Sequence, residues 1–241
     1  MKIQSFTDTG KVREMNQDAF KTGTFREGGC FAVVCDGMGG VSGGQVASDI
    51  CVNEVSAHIE KGYRKGMSMK SVKNLLVSAV TASNIKVFEA ANENKDYLGM
   101  GTTVVAVVIL NGFAAIAHIG DSRAYLISDD IKQITKDHSV VQYLIDVGRI
   151  TPEQAKTHPD RNVITRAVGV TAEIDVDVDI VPINSGETIL ICTDGLYEYI
   201  SDSEMFEIIK NSNEAEPAKL LLDMANEAGG KDNITVVTVE G

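Results

Sequence analysis

The sequence is poor in several residue types, and each shortage narrows what the chain can be. Its 241 residues include no tryptophan and only four prolines, and aromatic residues make up 5%. Lysine and arginine number 22 against 34 aspartates and glutamates, which gives a formal net charge of −12. A general nucleic-acid binder or a binder of anionic membranes would carry a basic surface, so this balance disfavours both classes. The rarity of proline leaves nothing typical of a hinge, and we expect a single domain over residues 1–241.

Long apolar runs are also absent. The longest, residues 104–110, falls far short of the roughly 20 residues that cross a membrane. The N-terminus lacks the apolar stretch of a secretory signal. The cysteines form no CxxC pair and have apolar neighbours, so we expect buried free thiols in a reducing cytoplasm. These cysteines are Cys30, Cys35, Cys51 and Cys192.

Hydrophobic residues make up 44% of the chain, which is typical of a globular protein. Apolar runs predict strands at residues 30–35, 102–110, 113–119, 123–127, 131–134, 174–180, 188–193 and 234–239. Helical periodicity predicts helices at 45–60, 69–91, 138–147, 203–209 and 217–227, with a further short helix starting at Pro152. Because the helices come in blocks, the pattern indicates an α+β fold. Two packed sheets flanked by helices would fit, although periodicity alone does not fix that topology.

Local sequence adds three expectations. Asn111-Gly112 predicts a tight type I′ hairpin turn, and Asp137 is placed to cap the helix at 138–147. Residues 174–180 read IDVDVDI. Strict alternation favours a strand with one buried face. A calcium loop is the alternative, but an EF-hand loop would also need a glycine at its sixth position and a glutamate at its twelfth.

Four aspartates stand at the ends of predicted buried strands. Asp36 follows FAVVC, Asp194 follows TILICT, Asp121 follows AAIAHIG, and Asp232 precedes the last strand. Each one alone is most simply a turn residue. Together they could converge on one cleft, where carboxylates at about 4 Å would repel by about 4 kcal/mol per pair at an effective dielectric near 20. Such a cluster needs protons or cations, and an all-oxygen set suits Mg²⁺ or Mn²⁺.

A second candidate element, REMNQD at residues 13–18, precedes the first clear strand. The guanidinium of Arg13 could hold a phosphate through two parallel hydrogen bonds. Taken alone, Arg13 fits a surface arginine and Asp18 fits a turn residue.

At this point the chain resembles bacterial members of the metal-dependent type 2C protein serine/threonine phosphatases. The resemblance spans nearly the whole chain, with its motifs in the family's order. The matching stretches are REMNQDAF (13–20), VVCDGMGG (33–40), GTT (101–103), AHIGDSRAYL (117–126), KDHS (136–139), TRAVG (165–169), CTDGLYEYI (192–200) and GGKDNITVV (229–237). Each motif is weak by itself, but eight in order are specific.

The resemblance implies a β-sandwich of two antiparallel sheets flanked by helix pairs on both sides, a four-layer αββα fold. It also implies a flap subdomain at about residues 139–168, beside the active site. His158 and Arg161 in this flap could meet substrate, or they could be solvated loop residues.

The resemblance also assigns a dinuclear metal site at one end of the sandwich. Asp36 would bridge two cations and Gly37 would offer its backbone carbonyl to one of them. Asp194 and Asp232 would ligate the other. Asp18 would act through a metal-bound water. Asp121 would be a ligand of a third ion, which Asp194 would also ligate. Arg13 would bind the substrate phosphate.

The implied activity is hydrolysis of phosphoserine and phosphothreonine in proteins, by a water activated between Mn²⁺ or Mg²⁺ ions. The expected partners are phosphorylated proteins and a cognate bacterial Ser/Thr kinase, and the expected state is a cytoplasmic monomer. A silent binding module, a small-molecule phosphatase and a sporulation or stress-response phosphatase are the alternatives.

Two residues depart from the pattern of eukaryotic members. Met38 stands where those members have a histidine proposed as general acid, and Gln17 stands where they have glutamate; both changes are usual in bacterial members. Because Met38 cannot give a proton, the source of the leaving-group proton is open. A metal-bound water is the first candidate and His138 the second, although a histidine at a helix start is most simply structural.

Overall fold

Two antiparallel sheets form the centre of the molecule. The computed structural model describes residues 1–211 and 216–241. With strands numbered along the chain, one sheet has the spatial order β1 (Lys2–Asp8), β11 (Ile234–Glu240), β10 (Thr188–Cys192), β7 (Arg123–Ile127) and β8 (Ile131–Gln133). The other has the order β2 (Asp18–Thr24), β3 (Cys30–Met38), β5 (Val104–Leu110), β6 (Phe113–Ile119) and β9 (Asp177–Pro182), and the short β4 (Gly101–Thr102) pairs with the end of β3.

Seven α-helices and one short 3-10 helix, Lys95–Tyr97, complete the described chain. The α-helices are α1 (Gly40–Gly62), α2 (Met69–Glu93), α3 (Val140–Asp146), α4 (Pro152–Ala155), α5 (Asp194–Tyr197), α6 (Asp202–Asn211) and α7 (Pro217–Glu227). No helix in the described ranges is both long enough and apolar enough to cross a membrane.

Three apolar layers hold these elements together. One lies between α1, α2 and the outer face of the β2–β9 sheet. A second fills the space between the two sheets, and a third packs α5, α6 and α7 on the other sheet. This is the expected four-layer αββα arrangement, and it confirms the predicted fold class. All four cysteines are buried free thiols, as predicted.

The strand and helix predictions are mostly confirmed, with informative exceptions. Both residues of the Asn111-Gly112 turn have positive φ, 54° and 75°, as a type I′ turn requires. The aspartate-rich segment is a strand, but β9 starts at Asp177 rather than at residue 174. Strands β1 and β2 were not predicted, because their residues alternate weakly and lie mostly half-buried.

The predicted helix cap is wrong. The hydroxyl of Ser139, not the carboxylate of Asp137, accepts the hydrogen bond from the Gln142 N–H at the start of α3. Asp137 is instead engaged by Arg123, whose Nη2 donates to it at 2.7 Å. The half-buried guanidinium of a residue on β7 competes more strongly for this carboxylate than a helix N-terminus does.

The segment predicted to form a flap is anchored at both ends. Val140 N–H donates to the Val163 carbonyl at 2.9 Å, and Thr165 N–H donates to the His138 carbonyl at 2.7 Å, so the two ends of the segment pair as a short stem. Helices α3 and α4 lie between them. Further on, Val168 exchanges two backbone hydrogen bonds with Thr102 of β4.

Candidate metal centre

Strand pairing brings the predicted aspartates to one end of the sandwich. Asp18, the first residue of β2, lies directly opposite Asp36 near the end of β3. Asp194 begins α5 just after β10, and Asp232 lies just before the neighbouring β11. Asp121 follows β6. The negative charges of the other four all act on the Asp36 carboxylate, so the five side chains form one cluster.

Electrostatics in this cluster disfavour the charged carboxylates. Burial, reinforced by the neighbouring aspartates, raises the pKa of Asp36 and of Asp194 well above the ordinary value. Burial also raises the pKa of Asp18 to about 7, against two stabilising hydrogen bonds. The pKa of Asp121 rises to about 6, again chiefly through burial and then through the charge of Asp137. A cation placed among these carboxylates would offset both their burial and their mutual repulsion.

Two carboxylate oxygens in the cluster are buried without a hydrogen-bond partner among the described residues, Oδ1 of Asp18 and Oδ1 of Asp194. Buried polar atoms are nearly always satisfied, so these two need a ligand. The donor set is entirely oxygen and strongly acidic, which matches the preference of Mg²⁺ and Mn²⁺. The residues present therefore fit a divalent-cation site.

Asp36 is fixed by its backbone. Its N–H donates to Thr103 Oγ1 at 2.9 Å, while its carbonyl accepts from Thr103 N–H and from Thr102 Oγ1, both at 2.8 Å. The next residue, Gly37, packs so closely on α1 that a Cβ there would collide with the carbonyl oxygen of Gly44. Only glycine fits at this position.

The second predicted element lies at the rim of the cluster. Arg13 Nη2 donates to Asp232 Oδ2 at 2.7 Å, and 55% of the Arg13 side chain stays exposed. This hydrogen bond raises the pKa of Arg13, and the charges of Asp194 and Asp36 add to the effect. Arg13 is thus held beside the acidic cluster with much of its guanidinium open to solvent.

The role of Asn233 was not predicted from sequence. Its side chain fixes the loop between β1 and β2, which carries Arg13. Its Nδ2 donates to the carbonyls of Thr9 and Met15 at 2.9 and 3.0 Å, and its Oδ1 accepts from the Gln17 N–H at 2.8 Å. The motif GGKDNITVV contains Asn233, but only the structure shows that its side chain spans to the N-terminal loop.

The other residues named from sequence lie on β3, in the flap stem and in the flap. Met38 ends β3 and is partly buried. Both ring nitrogens of His138 are engaged, Nδ1 by the Gly120 N–H and Nε2 by Asp177. In the flap, Arg161 Nε lies 3.9 Å from Glu198 Oε1, and His158 Nδ1 accepts from the N–H of residue 160.

The helix-flanked sandwich and the carboxylate cluster at one end are the features expected of a metal-dependent phosphatase. A family model described as Protein phosphatase 2C matches residues 10–224. The chain belongs to the protein phosphatase 2C family, and it is a protein serine/threonine phosphatase.

Relatives support this assignment over nearly the full chain. The serine/threonine phosphatase stp of Listeria innocua is 36% identical over 236 residues, covering 97% of this chain and 93% of the relative. Protein phosphatase PhpP of Streptococcus pneumoniae is 36% identical, covering 99% and 97%.

Solved structures agree with the fold. The serine/threonine phosphatase Stp1 from Staphylococcus aureus matches with a TM-score of 0.92 at 36% identity, covering 99% of this chain and 95% of that one. The catalytic domain of PstP in complex with two manganese ions matches with a TM-score of 0.84 at 32% identity, covering 99% and 97%.

Proposed function

We propose that this phosphatase hydrolyses phosphoserine and phosphothreonine in proteins with a water activated between two divalent cations, Mn²⁺ or Mg²⁺. Asp36, Gly37, Asp194 and Asp232 would hold the two ions. Asp18 would act through a water. The observation that carries the proposal is the cluster of five aspartates, in which two buried carboxylate oxygens have no hydrogen-bond partner within the described part of the chain.

When bound, the cations would lower the pKa of a water and neutralise charge on the phosphoryl group. The chain's own residues then have separate tasks. Arg13 would bind the phosphate oxygens, because its half-exposed guanidinium can present parallel N–H donors. Thr102 and Thr103 keep Asp36 in place through its backbone. Asp121 would ligate a third ion together with Asp194.

The leaving serine or threonine oxygen needs a proton. The thioether of Met38 carries none, and both nitrogens of His138 are committed to other partners. We propose that a water supplies this proton, so the reaction requires no side-chain general acid.

We further propose that the substrates are proteins phosphorylated by a bacterial Ser/Thr kinase that this enzyme opposes. We also propose that it works in the cytoplasm as a monomeric single domain. The four buried free thiols support a reducing compartment. Static light scattering would test the monomer, and phosphoproteomics of a deletion strain, with and without the kinase, would test the pairing.

The decisive experiment starts from protein stripped of metal by a chelator. Turnover of para-nitrophenyl phosphate and of a phosphothreonine peptide is measured during titration with Mn²⁺ and with Mg²⁺. We expect either ion to restore both activities, and Asp36→Asn to lower turnover by at least roughly a thousandfold, because it disrupts both ion positions.

The matched control is Asp129→Asn, which makes the same change in an exposed turn. Near-wild-type turnover by folded Asp36→Asn would overturn the dinuclear assignment. Turnover of the small ester with none of the phosphopeptide would instead favour the small-molecule alternative.

A further inference from the structure

His138 lies where the base of the flap meets the turn before Asp121. Its backbone N–H donates to the Gly120 carbonyl at 2.9 Å. The Gly120 N–H donates back to Nδ1 of the imidazole at 3.1 Å. Two hydrogen bonds therefore join one residue of the flap stem to one residue of the turn. Gly120 has a φ of +101° and packs on Thr103, so the turn itself has little room to move.

This pattern fixes the tautomer of His138. Because Nδ1 accepts the Gly120 N–H, the single proton of the neutral ring must be on Nε2. Nε2–H then donates to Asp177 Oδ2 on β9 at 2.9 Å. A proton on Nδ1 would place two N–H groups against each other. Burial lowers the pKa of His138, which agrees with a ring that stays neutral.

Two neighbouring side chains favour the neutral ring with its proton on Nε2. Arg166 Nη1 donates to Asp177 Oδ1 at 3.3 Å and lies 3.2 Å from His138 Nε2. With the ring proton on Nε2, the two nitrogens are both donors to the Asp177 carboxylate, so their approach is a contact between donors that share one acceptor and not a hydrogen bond between them. The positive charge of Arg166 opposes a second proton on the ring. The buried ring of His118 stacks on that of His138 with centroids 4.7 Å apart. His138 stands at the start of the flap segment and Arg166 at its end, so Asp177 links both ends to β9.

The side chains of His118, His138 and Asp177 are also close enough to suggest a cation site. Three features argue against a cation site here. Parallel rings cannot both direct a nitrogen lone pair at one ion, the Nε2 of His138 carries a proton, and a guanidinium stands beside it. Nδ1 of His118 is buried without a hydrogen-bond partner among the described residues, but that single free nitrogen does not outweigh these three features. The cluster is better suited to fix the position of the flap stem than to bind a metal.

We propose that His138 is a positioning residue that clamps the flap stem to the Gly120–Asp121 turn, with Asp177 fixing its tautomer. The clamp would hold Asp121 in the orientation needed to ligate a cation together with Asp194. Its link to a cation rests on the proposed function, whereas the clamp itself is a property of the metal-free protein. Partners that orient ligands in this way strongly affect metal affinity.

The test compares two replacements of the same histidine. His138→Asn keeps an acceptor near the position of Nδ1, and His138→Gln moves the amide towards the position of Nε2. In metal-free protein followed by hydrogen exchange with NMR, the Gly120 amide should exchange roughly tenfold faster in the Gln variant than in the wild type, and less so in the Asn variant.

Calorimetric titration with Mn²⁺ supplies the second readout. We expect His138→Gln to weaken the lowest-affinity class of Mn²⁺ sites roughly tenfold or more, with the tighter sites unchanged. Asp177→Asn should weaken it less. Asp179→Asn, two residues along β9 with an exposed side chain, is the matched charge control and should behave as the wild type.

Each outcome is decisive. Unchanged Gly120 exchange in folded His138→Gln would overturn the clamp. Faster exchange with wild-type Mn²⁺ binding would overturn its link to the cation while leaving the proposed function intact. Failure of the wild type to bind Mn²⁺ would instead overturn the proposed function. Zn²⁺ binding that His118→Gln abolishes would show that the cluster is a metal site, against the proposal.

Discussion

Nη2 of Arg13 and Oδ2 of Asp232 lie 2.7 Å apart, although the two residues are 219 positions apart in the chain. The proposed function assigns different partners to them, a phosphate to the arginine and a cation to the aspartate. The ion pair is largely exposed, with side-chain exposures of 55% and 35%. Exposed ion pairs contribute only about 0–1 kcal/mol to stability. Breaking this pair, so that the arginine binds a phosphate and the aspartate a cation, therefore costs little.

Replacement of Arg13 should therefore affect substrate binding more than folding. We expect Arg13→Ala to raise KM for a phosphothreonine peptide roughly tenfold or more, from the loss of charge-assisted hydrogen bonds. Arg13→Lys should fall in between, because an ammonium lacks the planar fork. Steady-state kinetics at saturating Mn²⁺ would measure this. Arg26→Ala, in the exposed turn between β2 and β3, is the control. An unchanged KM would refute the phosphate role.

A directed hydrogen-bond chain ends on Asp18. Its Oδ2 accepts from Thr235 Oγ1 at 2.7 Å and from Thr193 Oγ1 at 2.9 Å. Because the Thr235 hydroxyl donates to the carboxylate, it must accept from Thr7, which lies 2.8 Å away. Thr7 in turn accepts from Asn16 Nδ2. The chain leaves Oδ1 of Asp18 as the oxygen available to the cluster.

Removing either threonine hydroxyl should disturb Asp18 without changing local shape. We expect Thr193→Val and Thr235→Val each to lower the free energy of unfolding by about 1–2 kcal/mol. Each should also weaken Mn²⁺ binding. Urea unfolding and calorimetry would measure the two effects. Thr238→Val, another buried threonine on β11, is the control. Wild-type Mn²⁺ affinity in both variants would show that the hydroxyls do not position Asp18.

Four of the five acidic residues of the site could be predicted from sequence, because each of the four is marked by a local feature. Asp36, Asp121, Asp194 and Asp232 all stand beside the end of an apolar run. Asp18 could not be placed in this way, because β2 has no clear apolar pattern. Its position follows from pairing with Asp36 across β2 and β3, which motif resemblance anticipated but local periodicity did not.

Supporting residues were harder to predict, because their roles depend on contacts between distant parts of the chain. Thr193 and Thr235 look like ordinary strand residues until β10 and β11 lie side by side. Asp137 looks like a helix cap until β7 places Arg123 beside it. In each case tertiary contact decides between two plausible partners for the same side chain.

Asp121 offers a separate test of the third ion. We expect Asp121→Ala to lower activity or to raise the Mn²⁺ concentration required, without unfolding the protein, because Asp36, Asp194 and Asp232 remain. Activity measured across a Mn²⁺ titration would show the shift, with Asp129→Ala as the exposed control. If both the activity and the Mn²⁺ requirement stay unaltered, the third ion is dispensable in this enzyme.

The raised carboxyl pKa values predict how stability depends on pH. Asp18, with a pKa of about 7, and Asp121, with a pKa of about 6, both lie above the ordinary value of 3.8. A carboxyl that binds its proton more tightly in the folded chain stabilises the fold fully below its unfolded pKa. That contribution is lost as the pH rises through its folded pKa. The window for these two groups therefore runs from about pH 4 to about pH 7.

The Tm of metal-free protein should consequently fall between about pH 4 and pH 7, by roughly 5 °C or more. His138 opposes this trend, because its pKa is lowered and its contribution is lost on acidification. Asp18→Asn should make the Tm fall less over this pH range, because the variant lacks the titrating carboxyl group. With saturating Mn²⁺ the Tm should instead rise with pH. Cations compete with protons for the same carboxylate oxygens, so they bind more tightly as the pH rises. Scanning calorimetry at several pH values would measure both slopes. If the metal-free Tm instead rose across this range and Asp18→Asn had no effect on it, the cluster would already be neutralised by the protein itself, and it would have no need of cations.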